Sequence, residues 1–286
     1  MANLKEIRNR IASIGSTMKI TSAMKMVSAA KLKKAQDAIV QMRPYANKLT
    51  ELLQNLSATL DSDDGGEYTD QRKVNKVLIV AFTSNRGLCG AFNSSVIKDV
   101  KRIASSTYEG KELFVLTIGK KGNDLLSKEF EIYKNESDIY DDLSFENVAH
   151  IAEDLMLQFT NGSFDKIVFI YNQFKNAANQ ILTNEQFLPI LPPDSDNVSN
   201  ADYIFEPSKE EIVKGLIPKS LKTQLFKAIR DSFASEHGAR MTAMHKATDN
   251  ATELRDELLL KYNKARQAAI TGEILEIVGG AEALKG

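Results

Sequence analysis

The chain has 286 residues, a formal net charge of −1 at pH 7 and one cysteine, Cys89. The length suits one large domain or two ordinary ones, and a lone cysteine excludes an intrachain disulfide and favours a reducing compartment. No run of about 18 apolar residues occurs, which argues against a membrane-spanning helix. The N-terminal residues lack an apolar signal core, so we do not expect a cleaved targeting peptide.

Residues 1–60 are predicted to form a long helix with the heptad spacing of a coiled coil. Apolar or small residues recur there in steps of four and three: Ile7, Ile11, Ile14, Met18, Leu32, Ala35, Ile39, Met42, Ala46, Leu49, Leu53, Leu56 and Leu60. Pro44 would cost about 3 kcal/mol inside a helix and kink its axis. We therefore expect one helix bent near Pro44, with two separate helices as the alternative.

The stretch between Met18 and Leu32 departs from this spacing. The positions that should be apolar are polar or charged: Thr21, Lys25 and Ser28. Apolar side chains stand one position earlier: Ile20, Met24 and Val27. This offset predicts that the apolar stripe rotates around the helix over this span.

The first 35 residues are strongly basic, with eight Lys and Arg side chains against the single acid Glu6. Such local asymmetry indicates a partner with a negative surface. A merely solvated face is the plain alternative, but a solvated helix still needs one apolar face to bury. Nucleic-acid binding is not favoured, because no aromatic residue is interleaved with these lysines and no groove-reading motif occurs.

Residues 61–75 are polar, contain a Gly pair and are predicted to be a linker, and residues 76–207 are predicted to form an α/β domain. Short apolar runs typical of strands buried on both faces are Lys76–Thr83, Glu112–Gly119 and Lys166–Asn172. Helical stretches alternate with them: Ala91–Ser105, Lys120–Lys128 and Phe145–Thr160. This alternation predicts a parallel sheet covered by helices. Later strands are expected at an edge, Gln180–Ile190 and Tyr203–Pro207, separated by a surface loop, Leu191–Asn200.

Residues 208–286 are predicted to be helical again, with a break near Pro218 and a weak, partly polar seam. The seam runs through Phe226, Phe233, Met244, Ala251, Leu254, Leu258, Ala265, Ala268 and Leu275. Each terminal helix would be about 80 Å long at 1.5 Å per residue, longer than the domain between them. The predicted fold class is therefore α/β, with a long antiparallel coiled coil of N- and C-terminal helices flanking a Rossmann-like α/β domain.

Several long motifs resemble the gamma subunit of bacterial F-type (rotary) ATP synthase. Near the N-terminus they are LKEIRNRIASI and KITSAMKMVSAAKLKKA, followed by RPYA. After the first strand comes SNRGLCGAFN, and near the C-terminus come SEHGARMTAMHKATDNA and YNKARQAAITGEILEIVGGAEAL. The resemblance spans essentially the whole chain. It implies a central shaft of paired helices inside a ring of alternating alpha and beta subunits, with the α/β domain and the epsilon subunit on the rotor ring of c subunits.

The resemblance also implies a function. Proton flow, or sodium flow in a few members, would turn the rotor, and the asymmetric shaft would drive the beta subunits through the steps of ATP synthesis or hydrolysis. The chain would have no active site of its own and no cofactor or metal, and it would bind no nucleic acid. It would lie at the cytoplasmic face of the bacterial plasma membrane, as a peripheral protein held there only through the complex.

The same resemblance assigns residues to contacts with the beta subunit. Met24 and Lys25 resemble the N-terminal contact with the acidic lever loop of beta. The residues that resemble the C-terminal contact set are Arg266, Gln267, Thr271 and Glu273, and Arg240 resembles an arginine coupled to that set. Cys89 stands alone, so the thiol switch of the plant plastid relatives, which needs a cysteine pair, is not expected.

Two other classes of function remain open from the residues. The first is a Rossmann-like enzyme with helical oligomerisation arms, because RGLCGAF and GKKG follow strands as phosphate loops do. Neither motif has complete G-x-G-x-x-G or Walker spacing, and tight turns explain both. The second is a coiled-coil adaptor that binds an acidic partner. His150, His237 and His245 are scattered and lie far from Cys89 in sequence, so no metal site or nucleophile–base pair is indicated, and His237 and His245 are interpreted as ordinary helix positions.

Overall fold

The computed structural model describes residues 4–57, 67–190 and 209–283. The predicted loop 191–200 and strand 203–207, and most of the predicted linker, lie outside these residues. The chain divides into two units, one formed by residues 1–28 and 241–286 and the other by residues 29–240. The domain boundaries predicted from the sequence stay a prediction.

Two long helices begin and end the described chain. Helix α1 spans Leu4–Ser57 and helix α5 spans Lys209–Ala283. Helix α1 continues through Pro44 as one element, as expected, and the bend near Pro44 stays a prediction. The predicted break near Pro218 is wrong, because α5 also runs through its proline without ending. A proline in the first turns of a long helix removes one backbone hydrogen bond, and the neighbouring turns outweigh that loss.

The larger unit contains a five-stranded sheet with the order β3-β2-β1-β4-β5. The strands are β1 (Lys76–Phe82), β2 (Glu112–Ile118), β3 (Glu131–Asn135), β4 (Lys166–Phe174) and β5 (Gln180–Leu188). The first four are parallel, and β5 is an antiparallel edge strand next to β4. The three apolar runs and the later edge strand are thus confirmed, within a residue or two at their ends.

Strand β3 and a short 3-10 helix, Ser137–Tyr140, were not predicted. The sequence of β3, EIYKN, has polar residues at its first position and its last two, and this strand lies at the outer edge of the sheet and is only partly buried. A strand exposed on its edge needs no continuous apolar run, so the signal that identifies β1 is missing here.

Helices cover both faces of the sheet, as predicted. They are α2 (Phe92–Ser106), α3 (Lys120–Leu126) and α4 (Phe145–Thr160), the last capped by Ser144, whose Oγ accepts from the backbone N of Asn147 at 3.3 Å. Alternate residues of β1 supply two separate cores. Leu78, Val80 and Phe82 pack with α4 and with the 217–229 part of α5, whereas the other face packs with α2 and α3.

In the larger unit, the 29–57 part of α1 runs antiparallel to the 209–240 part of α5. The Arg43 guanidinium lies 3.3 Å from the Asp231 carboxylate, and the Lys219 ammonium lies 5.9 Å from the centre of the Tyr45 ring. Five of the heptad residues of α1 are buried here: Leu32, Ala35, Ile39, Ala46 and Leu49.

In the smaller unit, residues 4–28 of α1 also run antiparallel to α5. The Thr21 and Thr248 hydroxyls are 2.8 Å apart, the Thr252 hydroxyl donates to the Met18 sulfur at 3.3 Å, and the Arg8 guanidinium donates to the Tyr262 hydroxyl at 2.7 Å. Residue numbers rise along one helix as they fall along the other, so the two helices have opposite directions.

The predicted rotation of the apolar stripe is wrong. Thr21 and Ser28 are buried, while Ile20 and Val27 are 59% and 58% exposed. The buried positions therefore keep the heptad spacing through this span, with small polar residues in place of apolar ones. Thr21 can be buried because its hydroxyl also reaches the backbone carbonyl of its own helix, at Met18 O, 3.1 Å away.

Candidate subunit interface

Met24 and Lys25 lie on α1 within the smaller unit, one turn after Thr21. Both side chains are half-buried at the border of the helix pair. Ile20 and Val27 flank them and are more than half exposed. The surface thus combines apolar side chains with a cation, and the apolar part is left outside the helix pair.

The C-terminal set lies elsewhere on the same unit. Its members are all exposed on α5: Arg266, Gln267, Thr271 and Glu273. On α5 they follow Tyr262, whose hydroxyl accepts a hydrogen bond from Arg8 of α1. Met24 lies 16 residues further along α1 than Arg8. At 1.5 Å per residue that is about 24 Å. The structure therefore separates the two predicted sets and does not bring them together into one site.

The C-terminal part of α5 carries a surface that the contact prediction missed. Five large apolar side chains there are 48–72% exposed: Ile270, Ile274, Leu275, Ile277 and Val278. Exposed apolar side chains concentrated in nine residues indicate a surface that another molecule covers. The sequence signal was present, since GEILEIV is strongly apolar.

Arg240 lies in the larger unit and is buried. Its guanidinium donates to Glu236 Oε1 at 2.6 Å, to Arg86 O at 2.9 Å and to Gly87 O at 3.3 Å. It thus joins α5 to the loop after β1. Contact of Arg240 with a beta subunit stays a prediction. Its charge partner Glu236, four residues earlier, was not identified from the sequence, although the E-x-x-x-R spacing is typical of a helical ion pair.

Burial shifts the pKa values of the groups around Arg240. Burial raises the pKa of Glu236, and the nearby Arg240 opposes that rise. Burial lowers the pKa of His237 to about 3, and the positive charges of Arg240 and Lys31 act in the same direction. His237 packs edge-on against Phe233, with the two ring centres 4.5 Å apart. The interpretation of His237 as an ordinary helix position is therefore incomplete, because it is a buried, neutral imidazole.

The carboxyl ends of β1 and β4, where a Rossmann-like protein binds its nucleotide, are occupied by the chain's own polar groups. The backbone N of Ser84 donates to Asn93 Oδ1 at 2.9 Å. The Asn172 amide donates to Phe92 O at 3.0 Å and accepts from Ser95 Oγ at 3.3 Å. Cys89 is buried in the same place, with Asn93 Nδ2 at 3.3 Å from its sulfur. The polar side chains at this end of the sheet are thus engaged in internal hydrogen bonds.

Metal ligands are not clustered in the part of the chain that the structure describes, where no group of three His, Cys, Asp or Glu side chains could hold an ion. Gly119, in the GKKG turn, has a positive φ of 114°, and a Cβ there would lie 2.2 Å from Thr83 O. A close approach of two backbones thus explains this glycine without a ligand.

Comparisons with known proteins agree along the whole chain. The family model described as ATP synthase matches residues 3–284. The ATP synthase gamma chain of Flavobacterium psychrophilum is 73% identical over 287 residues, covering 100% of both chains. That of Cytophaga hutchinsonii is 50% identical and covers 99% of both.

Solved structures with the same fold come from ATP synthases. The central stalk and c-ring structure of the Tetrahymena thermophila mitochondrial enzyme includes a chain with a TM-score of 0.60 and 26% identity, covering 80% of this chain and 99% of that one. A chain of the Euglena gracilis mitochondrial enzyme has a TM-score of 0.70 at 21% identity, over 98% and 94%. With these full-length matches, the α/β domain between two long helices and the motifs along both helices all lead to one assignment: this chain belongs to the family of ATP synthase gamma chains.

Proposed function

We propose that the chain is the central rotor shaft of a bacterial proton-translocating ATP synthase. It couples ion-driven rotation of a membrane ring to ATP synthesis and hydrolysis on the catalytic subunits that surround it. The observation that carries this proposal is the exposed apolar surface of α5, from Ile270 to Val278, on a helix with no internal partner along that stretch among the described residues. Subunits that surround this end of the helix would cover the surface.

The exposed predicted contact residues fit the same role. A shaft that turns has to change its contacts with the surrounding subunits repeatedly, and deep apolar burial would hold it at roughly 25 cal/mol per Å². Exposed ion pairs and hydroxyl contacts contribute about 1 kcal/mol or less each, so they form and break at small cost. Arg266, Thr271 and Glu273 are exposed residues of this kind.

The chain itself has no catalytic role in this proposal. The incomplete glycine motifs, and the internal hydrogen bonds that Asn93 and Asn172 make at the carboxyl ends of β1 and β4, support this proposal over a Rossmann-like enzyme. A coiled-coil adaptor would use the basic N-terminal helix to bind its partner. It gives no reason for the exposed apolar surface near the C-terminus.

The partners that we propose are the alpha and beta subunits of the catalytic ring, the epsilon subunit and the ring of c subunits. Met24 and Lys25 would contact the acidic lever loop of beta, and Arg266, Gln267, Thr271 and Glu273 would form a second contact. No helix among the described residues is both long and apolar enough to cross a membrane. We propose that the chain is held at the cytoplasmic face of the plasma membrane through its complex.

Reconstitution tests the proposal. Purified alpha and beta subunits are mixed with or without this chain, and ring assembly and ATP hydrolysis are measured. We expect both to depend on the chain. Equal assembly and activity without it would refute the shaft proposal, and tight stoichiometric binding of a nucleotide to the chain alone would favour the enzyme alternative.

A paired substitution tests the surface that carries the proposal. Ile274→Asp places a charge within the exposed apolar surface, and we expect it to weaken ring assembly at least severalfold. Asn250→Asp adds the same charge to an exposed position of the same helix outside that surface and is the matched control. Equal assembly by the two variants would show that the surface is not covered in the complex.

A further inference from the structure

Met18 occupies a heptad position of α1, yet polar groups of α5 face its sulfur. The Thr252 hydroxyl lies 3.3 Å from the sulfur, and Nη1 of Arg255 lies 3.9 Å from it. A thioether sulfur is a weak hydrogen-bond acceptor. Two good donors of one helix thus converge on an atom of the other helix that can accept only weakly from them.

Other groups hold these donors in place. Asp256 Oδ1 accepts from Nε of Arg255 at 3.1 Å and from Nη2 at 2.9 Å, which leaves Nη1 for Met18. The Thr252 hydroxyl has one hydrogen and two acceptors, the Met18 sulfur and the backbone carbonyl of Thr248 at 2.9 Å. Because the carbonyl is the stronger acceptor, a stronger acceptor at position 18 would gain bonds that the sulfur does not.

The Met18 sulfur is within reach of small molecules from solvent. Met18 is half-buried, and its neighbours Thr17 and Lys19 are exposed. On the other helix, 33% of the Arg255 side chain is exposed. A molecule as small as hydrogen peroxide can therefore reach the sulfur while the two helices stay paired.

A hydroperoxide converts a thioether to a sulfoxide. The sulfur lone pair attacks the outer peroxide oxygen, so that an S–O bond forms and the O–O bond breaks. The sulfur is oxidised by two electrons and the peroxide is reduced. The proton of the transferred oxygen passes to the departing oxygen, which leaves as water or an alcohol. The product carries a strong acceptor where the thioether was a weak one.

Oxidation of a methionine commonly disrupts a packed interface, because a polar oxygen is buried there without a partner. The surroundings of Met18 have the opposite effect. An oxygen on this sulfur would lie within reach of the Thr252 hydroxyl and of the Arg255 guanidinium, and hydrogen bonds from a charged donor are stronger than those between neutral groups.

We propose that Met18 is a site of reversible oxidation by hydroperoxides, and that Thr252 and Arg255 bind the sulfoxide oxygen and so tighten the pairing of α1 with α5. The proposal concerns a modification of this helix pair and does not depend on the function proposed above. Reduction by a methionine sulfoxide reductase would restore the weaker contact.

The test measures backbone amide hydrogen exchange by mass spectrometry in residues 11–28 of the full-length chain, before and after treatment with hydrogen peroxide. Peptide masses identify the methionines that have gained an oxygen. We expect Met18 to be oxidised in the folded chain, and exchange in this segment to slow by roughly twofold to tenfold, as one additional net hydrogen bond implies. Faster exchange after oxidation, or a Met18 that stays reduced in the folded chain, would overturn the proposal.

Met18→Leu separates the effect of Met18 from that of its neighbours. Leucine is not oxidised by a hydroperoxide, while Met24 and Met26 of the same segment still react. We expect that peroxide treatment does not slow exchange in this variant. Equal slowing in the variant and in wild type would mean that another methionine is responsible.

The double variant Thr252→Val/Arg255→Met removes both donors. Oxidation should now speed exchange in residues 11–28, because the sulfoxide oxygen has lost its partners. Lys261→Met removes an exposed cation of the same helix and is the control, in which the slowing should persist. Slowing of the same size in the double variant would contradict the assigned donors.

Met18→Gln tests the same contact without peroxide. Its amide oxygen is a strong acceptor on a side chain of similar length, so we expect exchange in residues 11–28 to be slower than in Met18→Leu. The Thr252→Val/Arg255→Met changes should abolish that difference. If Met18→Gln exchanged as fast as Met18→Leu, an acceptor at this position would not tighten the helix pair and the proposal would fail.

Discussion

His237 is a buried imidazole held in its neutral form. Its Nδ1 lies 3.4 Å from Arg240 Nη1, and its Nε2 has no hydrogen-bond partner among the described residues. Its folded-state pKa of about 3 lies below the ordinary value of 6.5. Between these values the unfolded chain binds more protons than the folded chain, so His237 favours unfolding as the pH falls through this window.

We predict that His237→Gln reduces this loss of stability in acid. The free energy of unfolding of the variant, relative to wild type, should rise as the pH is lowered from 6.5 towards 3, by up to about 1.4 kcal/mol per pH unit. Thermal unfolding of the full-length chain at several pH values measures it. The comparison with wild type is needed because the raised pKa of Glu236 has the opposite effect. His245→Gln, exposed on the same helix, is the control, and parallel curves for wild type and His237→Gln would contradict the prediction.

At the scale of the elements, α1 and α5 of the larger unit are joined by one buried carboxylate. Asp231 is fully buried, and burial raises its pKa while Arg43 opposes the rise. The Arg43 guanidinium also donates to Phe174 O at 3.1 Å, at the end of β4. This single cation thus links two helices and the sheet.

We predict that Arg43→Met lowers the free energy of unfolding by about 2–3 kcal/mol, because it leaves a buried carboxylate without its cation. Adding Asp231→Asn should recover much of the loss, because the unpaired charge is then gone. Arg10→Met removes an exposed arginine from its pair with Glu6 and should change stability by less than about 1 kcal/mol. Chemical denaturation measures all three. If the double variant were as unstable as the single one, the charge would not be the cause.

An element could be predicted from the sequence when one physical signal dominates in it. Strand β1 is buried on both faces and reads as a continuous apolar run, whereas β3 at the edge does not. The heptad spacing predicted a helix pair, but apolar residues alone misplaced the seam at Ile20 and Val27. The buried residue there is Thr21, whose hydroxyl is satisfied by a threonine 227 residues away, and no local pattern encodes such a partner. The Glu236–Arg240 pair was likewise hidden, because burial depends on the distant loop after β1.

At the scale of the whole molecule, the residues assigned to the partner contacts should affect coupling more than folding. Met24 is half-buried beside Lys25, and the lysine that Met24→Lys introduces could extend its ammonium to water. We predict that this variant folds and assembles but pumps fewer protons per ATP hydrolysed, because a second cation would hold an acidic loop too firmly. Proton pumping and hydrolysis in membrane vesicles measure this ratio. Unchanged pumping would count against the contact assigned to Met24.

The threonine hydroxyls between the helices of the smaller unit have a consequence for twisting. Thr21 reaches either Thr248 or the carbonyl of Met18, and Thr248 has the carbonyl of Met244 at 2.8 Å. When the helices turn slightly against each other, each hydroxyl can exchange one acceptor for another without losing its hydrogen bond. A small twist of the two helices against each other would therefore cost little hydrogen-bond energy at these positions.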